Sequence, residues 1–134
     1  MSVQWNGSAV LAKVRQAALQ ATVRSVEAVL EEGTHLILDT PKSGKIYERR
    51  GVTHQASAPG EPPASDTGRL VQSGHAEYDT KAISGTAVWS SEHADPLEHG
   101  TKNMEPRPFA RQALANKQDE INKGFAEEIA AVLK

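Results

Sequence analysis

The chain reads Leu97-Glu98-His99-Gly100-Thr101 and, after a short spacer, Pro106-Arg107-Pro108-Phe109-Ala110-Arg111. Gly100 can adopt a positive φ at no steric cost, so the chain can reverse there. The two prolines suit the entry or first turn of a helix, because an N–H missing there breaks no helical hydrogen bond. Phe109 then opens an apolar stripe that continues towards the end of the chain. The stretch predicts a turn, anchored by Gly100, Pro108 and Phe109, that launches a final helix at about its first proline.

A second long helix is predicted from about Ser8 to Glu32. Asn6 or Ser8 can cap its start, and Gly33 is placed to end it. Two apolar stripes at helical spacing run along it, so the helix is either central and well covered or packs one stripe on a neighbouring subunit. The stripe available for a neighbour is Leu19, Val23, Val26 and Leu30. Residues 34–38 fit either a further helical turn or a short strand.

Between the two helices the sequence predicts a short helical turn and a β-hairpin. Asp66 or Thr67 can cap the helical turn. Strands are expected from about His75 to Thr80 and from about Thr86 to Ser90, with a turn near Ser84-Gly85, because residues 86–90 alternate at the period of a half-buried strand. The predicted fold class is α+β, a small antiparallel sheet packed by the long N-terminal helix and the C-terminal helix.

The chain of 134 residues is predicted to form a single domain. Residues 42–66 differ from the rest of it in composition. They are rich in Gly, Pro, Ser and Ala, and so long an insert is typically functional or disordered. They predict a flexible arm that orders on assembly. Its first part, from Lys42 to His54, holds four basic residues against Glu48, a net of +3 in a chain of net charge −2. The residues predicted to contact a partner are Lys45, Ile46, Tyr47, Arg49 and Arg50.

The apolar members of that set favour a protein contact over a purely phosphate contact. Ile46 and Tyr47 lie next to the arginines, and apolar anchors are typical of interface cores. One basic cluster on one subunit is often only a solvated loop. Copied around a ring, the same cluster would form a positive girdle facing either DNA phosphates or an acidic rim of the next ring.

The sequence offers no catalytic set, so neither an enzyme nor a cofactor is expected. Gly44-Lys45 resembles the end of a phosphate-binding loop, but the required Gly and Ser/Thr positions hold Asp39 and Ile46. The histidines His93 and His99 are separated by Pro96 and fit no common zinc spacing. There is no cysteine, which excludes disulfides and thiolate metal sites.

Bulk properties narrow the function classes further. A pI near 6.2 argues against a dedicated nucleic-acid binder, which usually carries a basic excess. With aromatic residues at 4%, the core must be built mostly from Ala, Val, Leu and Ile. Since no apolar run approaches about 18 residues, no membrane partner is expected.

Two stretches resemble the gene-product-ten family of lambda-like siphophages. The first is the pattern Leu97-Glu98-x-Gly100-Thr101 followed by Pro108-Phe109; the second is the proline-rich Ala58–Ala64 leading into Thr67-Gly68-Arg69-Leu70-Val71-Gln72-Ser73. Together with the long N-terminal helix, the resemblance covers nearly the whole chain in the right order.

The resemblance implies a structural virion protein that forms a ring at the neck, where a finished tail joins a DNA-filled head. Its expected partners are copies of itself, in a hexamer or alternatively a dodecamer, the neighbouring head-closure and tail-terminator rings, and DNA passing through the channel. The expected location is the virion neck or tail, after synthesis in the cytoplasm of a bacterial host. The basic residues of the arm leave a second function open, that of a nucleic-acid-binding accessory protein that uses this arm.

Overall fold

A computed structural model describes residues 2–134 and confirms the α+β class. The helices are α1 (Gly7–Leu38), α2 (Arg69–Gln72), α3 (Ala94–His99) and α4 (Ala110–Val132). The strands are β1 (Ile46–Arg49), β2 (Val52–Gln55), β3 (Gly74–Asp79) and β4 (Ser84–Trp89). They form two separate antiparallel pairs, β1 with β2 and β3 with β4, where the sequence predicted a single sheet. Across residues 2–134, no helix is long and apolar enough to cross a membrane.

Helix α1 is the element on which the others pack. Its 32 residues span about 48 Å, and Asn6 caps its start by accepting a hydrogen bond from the Ala9 N–H at 3.2 Å. Helix α4 runs antiparallel to it, since Arg24 pairs with Glu128 near the end of α4 and residue 36 of α1 packs with residue 113. The first turns of α1 therefore extend past the end of α4.

Gly33 does not end α1, contrary to the sequence prediction. The helix continues through residues 34–38, which settles that ambiguous stretch as helical. A Cβ at Gly33 would lie only 2.4 Å from the indole ring of Trp89. The glycine therefore makes room for Trp89 to pack on the helix, and its position mid-helix reflects this close approach and not a helix end.

Gly33→Ala should therefore destabilise the protein although alanine favours helix formation. We expect a loss of roughly 1–3 kcal/mol in the free energy of unfolding, because overpacking outweighs the gain in helix propensity. Gly124 of α4 is the matched control, since a Cβ there would meet no atom within 4 Å. Gly124→Ala should stabilise by about 0.5–1 kcal/mol. Urea melts of both variants check this, and equal stabilisation by both would contradict the packing argument.

The β3–β4 hairpin lies against α1 through a second close approach. Its register pairs Gly74 with Trp89 and Asp79 with Ser84, so the turn falls at residues 80–83 and not at the predicted Ser84-Gly85. Gly85 lies within β4, where a Cβ would stand 2.6 Å from a methyl carbon of Val26. The strand can cross the helix at this point only because the glycine has no side chain.

The apolar stripe proposed for a neighbouring subunit is largely covered within the chain. Val26 is buried beneath β4, Leu19 and Leu30 are half-buried, and Val23 is exposed. This burial fits a central, well-covered α1. The cap of α2 also differs from the prediction, since Gly68, with φ 79°, takes the position expected for Asp66 or Thr67.

Candidate functional site

The turn that precedes α4 is built around Gly100 and Phe109. Gly100 has φ 78°, and a Cβ there would lie 2.9 Å from atoms of Met104 and Pro106. Phe109 is 1% exposed and meets the ring of Trp89 edge-on, with centroids 5.1 Å apart. Phe109 is therefore a core residue directly before α4, and its role as an anchor stays a prediction. The helix begins at Ala110, however, so both prolines precede it and do not lie in its first turn.

Glu98 was quoted in the turn stretch without a role of its own, and in the structure it caps α4. Its carboxylate accepts hydrogen bonds from the backbone N–H groups of Phe109 at 2.8 Å, Ala110 at 3.0 Å and Arg111 at 3.0 Å. Burial alone would raise the pKa of Glu98, but these three bonds and the nearby Arg111 guanidinium lower it below its usual value. A buried carboxylate at a helix N-terminus also faces the positive end of the helix dipole.

The cap was missed because it comes from another segment. The residues that usually cap a helix are Ser, Thr, Asp and Asn in the position directly before its first residue. In α4 that position holds Phe109, whose side chain cannot accept a hydrogen bond. The one sequence signal was the absence of any local cap before a strong helical pattern. That absence could have prompted a search for a carboxylate upstream.

The two stretches that carry the family resemblance share one apolar cluster, to which Leu70 and Val71 of the second and Phe109 of the first contribute. Residues beside them add hydrogen bonds. The Gly60 N–H donates to the Pro106 carbonyl at 3.0 Å, and the Arg107 Nε donates to the Ser57 carbonyl at 3.2 Å. Ser57 and Pro63 are buried. The second half of the predicted arm thus packs on the body of the protein, and only its first half projects.

The projecting half is the β1–β2 hairpin, which was not predicted from the sequence. Its tip holds two positive φ values, 53° at Arg50 and 77° at Gly51. Asp66 ties the hairpin down, accepting from Arg49 Nη1 at 2.5 Å and from the Tyr47 hydroxyl at 3.3 Å. The His54 ring stacks on Tyr47 and approaches Asp66 at 3.4 Å. Whether this segment is mobile in the free protein stays a prediction.

These contacts shift the pKa values of Tyr47 and Asp66. Burial raises the pKa of Tyr47, and Asp66 raises it further. Burial would raise the pKa of Asp66, but the hydrogen bond and charge of Arg49 outweigh it and lower that pKa. Asp66 is therefore ionised at neutral pH and neutralises much of the charge of Arg49.

The five predicted contact residues divide into two groups. Tyr47 and Arg49 are engaged within the chain through Asp66. Lys45, Ile46 and Arg50 are exposed, and neither Lys45 nor Arg50 forms an ion pair with any of residues 2–134. Lys42, part of the same basic cluster, instead donates to the Leu36 carbonyl at 2.7 Å, at the C-terminal end of α1.

The hairpin tip borders a concave surface that we call the basic pocket. Its basic members are Arg49, Arg50, Arg69 and His93, with Asp66 beside them. Arg69 starts α2 and was not predicted to contribute. Like Arg50, it has no ion-pair partner among the described residues. The pocket therefore keeps a positive surplus that suits carboxylates or phosphates.

A second concave surface runs along α1 between β4 and α4, and we call it the apolar groove. Val26 and Val29 of α1 form its floor. Its walls are Ala87 and Trp89 of β4 and Leu114, Ile121 and Phe125 of α4. Glu98, His99 and Arg111 stand at its α3 end. No sequence pattern indicated this groove, because its two walls come from segments about 30 residues apart.

Within residues 2–134 no three His, Asp or Glu side chains stand close enough to hold a metal ion. The chain was compared with protein-family models, curated proteins and solved structures, and none of them matches.

Proposed function

We propose that this chain is a structural virion protein of a tailed phage, forming a ring at the neck that joins head to tail or completes the tail. The resemblance of its two signature stretches to the gene-product-ten family supports the proposal. So does the packing of Leu70 and Val71 of one stretch and Phe109 of the other in one apolar cluster, since residues that form one structural unit would be expected to occur together. The role is assembly and not catalysis.

The basic pocket is the observation that carries this proposal. Residues 42–54 have a net charge of +3, which leaves −5 for the remainder of the chain. The remainder includes Glu27 and Glu31 on α1, both exposed and without an ion pair to any described residue. A positive pocket and a negative body on identical subunits are complementary head to tail, and such heterologous contacts form a ring when the rotation between subunits closes.

The proposed partners are those that the resemblance implies. They are further copies of the chain, in a hexamer or dodecamer, and the head-closure and tail-terminator rings on either side. DNA passing through the channel would face whichever positive side chains line it. The proposed location is the neck or tail of the virion.

Loss of the gene product tests the proposal directly. A nonsense mutation in the phage gene should yield DNA-filled heads and finished tails that remain separate in electron micrographs. Supplying the protein in trans should restore joined particles. Normal infectious virions from the mutant would refute a neck role.

Reversing the charge of the basic pocket tests the contact itself. Arg50→Glu with Arg69→Glu should leave the monomer folded, within about 1 kcal/mol of the parent, because exposed charges contribute little to stability. Head–tail joining should be lost. Arg49 is left unchanged because its reversal would also break the pair with Asp66. Lys81→Glu with Lys134→Glu is the matched control, since both lysines are exposed, and it should join normally.

The alternative, a nucleic-acid-binding accessory protein, rests on the same pocket, because guanidinium groups also bind phosphates. A salt titration of DNA binding separates the two functions. Sub-micromolar affinity at physiological salt, with a steep loss as salt rises, would favour the alternative. The charge-reversal variant should then lose DNA binding, whereas the control should keep it.

A further inference from the structure

The N-terminal end of the chain presents large apolar side chains to solvent. Val3 is 89% exposed and Trp5 is 78% exposed, and both precede α1. Leu11, in the part of α1 that extends past α4, is also largely exposed. Exposed tryptophan on a projecting segment is unusual for a free surface and frequent at interfaces, where Trp supplies much of the binding energy.

The apolar groove is a surface of matching chemistry. Leu114 on its α4 wall is exposed, and Trp89, Ile121 and Phe125 are only half-buried. Its charged side chains are confined to the α3 end, where Arg111 is already close to Glu98. A segment that fills the groove must therefore bring apolar groups and few charges.

The exposed apolar segments of the chain differ in how many charged side chains they would bring into the apolar groove. Residues 2–6, Ser-Val-Gln-Trp-Asn, carry no charged side chain. A second candidate is the β1–β2 hairpin, which exposes both Ile46 and Val52, but these side chains stand among Lys45, Glu48 and two arginines. Burying those charges in the groove would be costly, so the N-terminal segment fits better.

The segment cannot reach the groove of its own chain without unwinding α1. The floor of the groove begins near Thr22, and α1 is helical from Gly7. At 1.5 Å per residue, Trp5 therefore lies roughly 25 Å away along the helix axis. The occupant must come from a second copy.

We propose that Val3 and Trp5 of one copy insert into the apolar groove of the next copy. The donor and acceptor surfaces differ, so every subunit can give one segment and receive another, which is the pattern that builds a ring. This inference rests on the proposed function in that it supplies the self-contact of the neck ring. The basic pocket remains available for a different contact.

Cysteine cross-linking tests the docking, and the chain is suited to it because it has no cysteine of its own. Gln4→Cys places a thiol beside Trp5, and Thr86→Cys places one on the β4 side of the groove. Each single variant is purified, and the two are mixed and oxidised. A disulfide-linked dimer of one copy of each is expected, since a disulfide forms only when the two Cα atoms come within about 7 Å.

Four further variants make the result decisive. Thr53→Cys, on exposed β2, replaces Thr86→Cys as a matched control and should give no enriched dimer. Adding Trp5→Ala to Gln4→Cys should abolish the cross-link, whereas adding Leu38→Ala, which removes an exposed side chain elsewhere, should leave it. Sedimentation of the cysteine-free Trp5→Ala protein should show self-association weakened at least about tenfold.

Several outcomes would overturn the inference. They are the absence of a disulfide-linked dimer between the Gln4→Cys and Thr86→Cys variants, equal cross-linking to Thr53→Cys, or an intramolecular disulfide when both substitutions are in one chain. The neck role fails separately, if loss of the gene leaves normal virions although the cross-link forms. The docking can also fail while the neck role holds. In that case the gene knockout loses head–tail joining, but no cross-link forms and the Trp5→Ala variant joins heads to tails normally.

Discussion

Phe109→Ala should lower the free energy of unfolding by about 3–5 kcal/mol, the range for removing a fully buried aromatic side chain. The ring is 1% exposed and packs with Ile37 and Ala94 as well as edge-on to Trp89. Its loss leaves a cavity where α1, α3 and the start of α4 meet. Denaturant melts followed by far-ultraviolet circular dichroism would measure the change.

Phe125→Ala is the matched control, because that ring is only half-buried on the wall of the apolar groove. It should cost clearly less than Phe109→Ala in the free protein. A loss below about 1 kcal/mol for Phe109→Ala would show that the side chain is not a core anchor.

Glu98→Ala should destabilise the protein by about 3 kcal/mol. It removes the acceptor of three backbone N–H groups, of which the one on Phe109 is buried, and an unsatisfied buried donor costs about 1–3 kcal/mol. Glu92→Ala, on an exposed residue of the same loop region, is the control and should change stability by less than about 0.5 kcal/mol. Thermal and urea melts check both variants, and equal effects would contradict the cap.

The charge of Glu98 also predicts a pH dependence. Because its pKa in the folded protein lies below the usual 4.5, ionised Glu98 stabilises the fold above about pH 4.5. That contribution is lost as the pH falls through the lowered pKa. Glu98→Gln should thus be less stable than the parent at neutral pH, and the gap should narrow in acid. A gap that stays constant from neutral pH down to about pH 3 would contradict the charged cap.

Local patterns account for what the sequence predicted correctly. Helical periodicity identified α1 and α4, and the Asn6 cap lies next to the helix that it serves. The alternation of residues 86–90 identified β4. Phe109 could be proposed as an anchor because two prolines precede it and a long apolar stripe follows it. Each of these signals is carried by residues within one or two turns of each other.

The tertiary structure decided what depended on distant partners. The sequence placed a helix end at Gly33 and a turn at Gly85. In the structure Gly33 makes room for Trp89, and Gly85 makes room for Val26. The β1–β2 hairpin lacks apolar alternation and is held by Asp66, more than ten residues beyond its end.

The candidate sites divide in the same way. Lys45, Ile46, Tyr47, Arg49 and Arg50 could be singled out from the sequence, because charge and apolar anchors are visible in it. Their different environments could not, since Asp66 engages two of them and leaves the others exposed. The sequence by itself determined the two long helices, strand β4 and the turn at Gly100, because backbone propensities and periodicity are local. Only the tertiary structure decided the Glu98 cap, the basic pocket and the apolar groove, because each needs side chains from separate segments to meet in space.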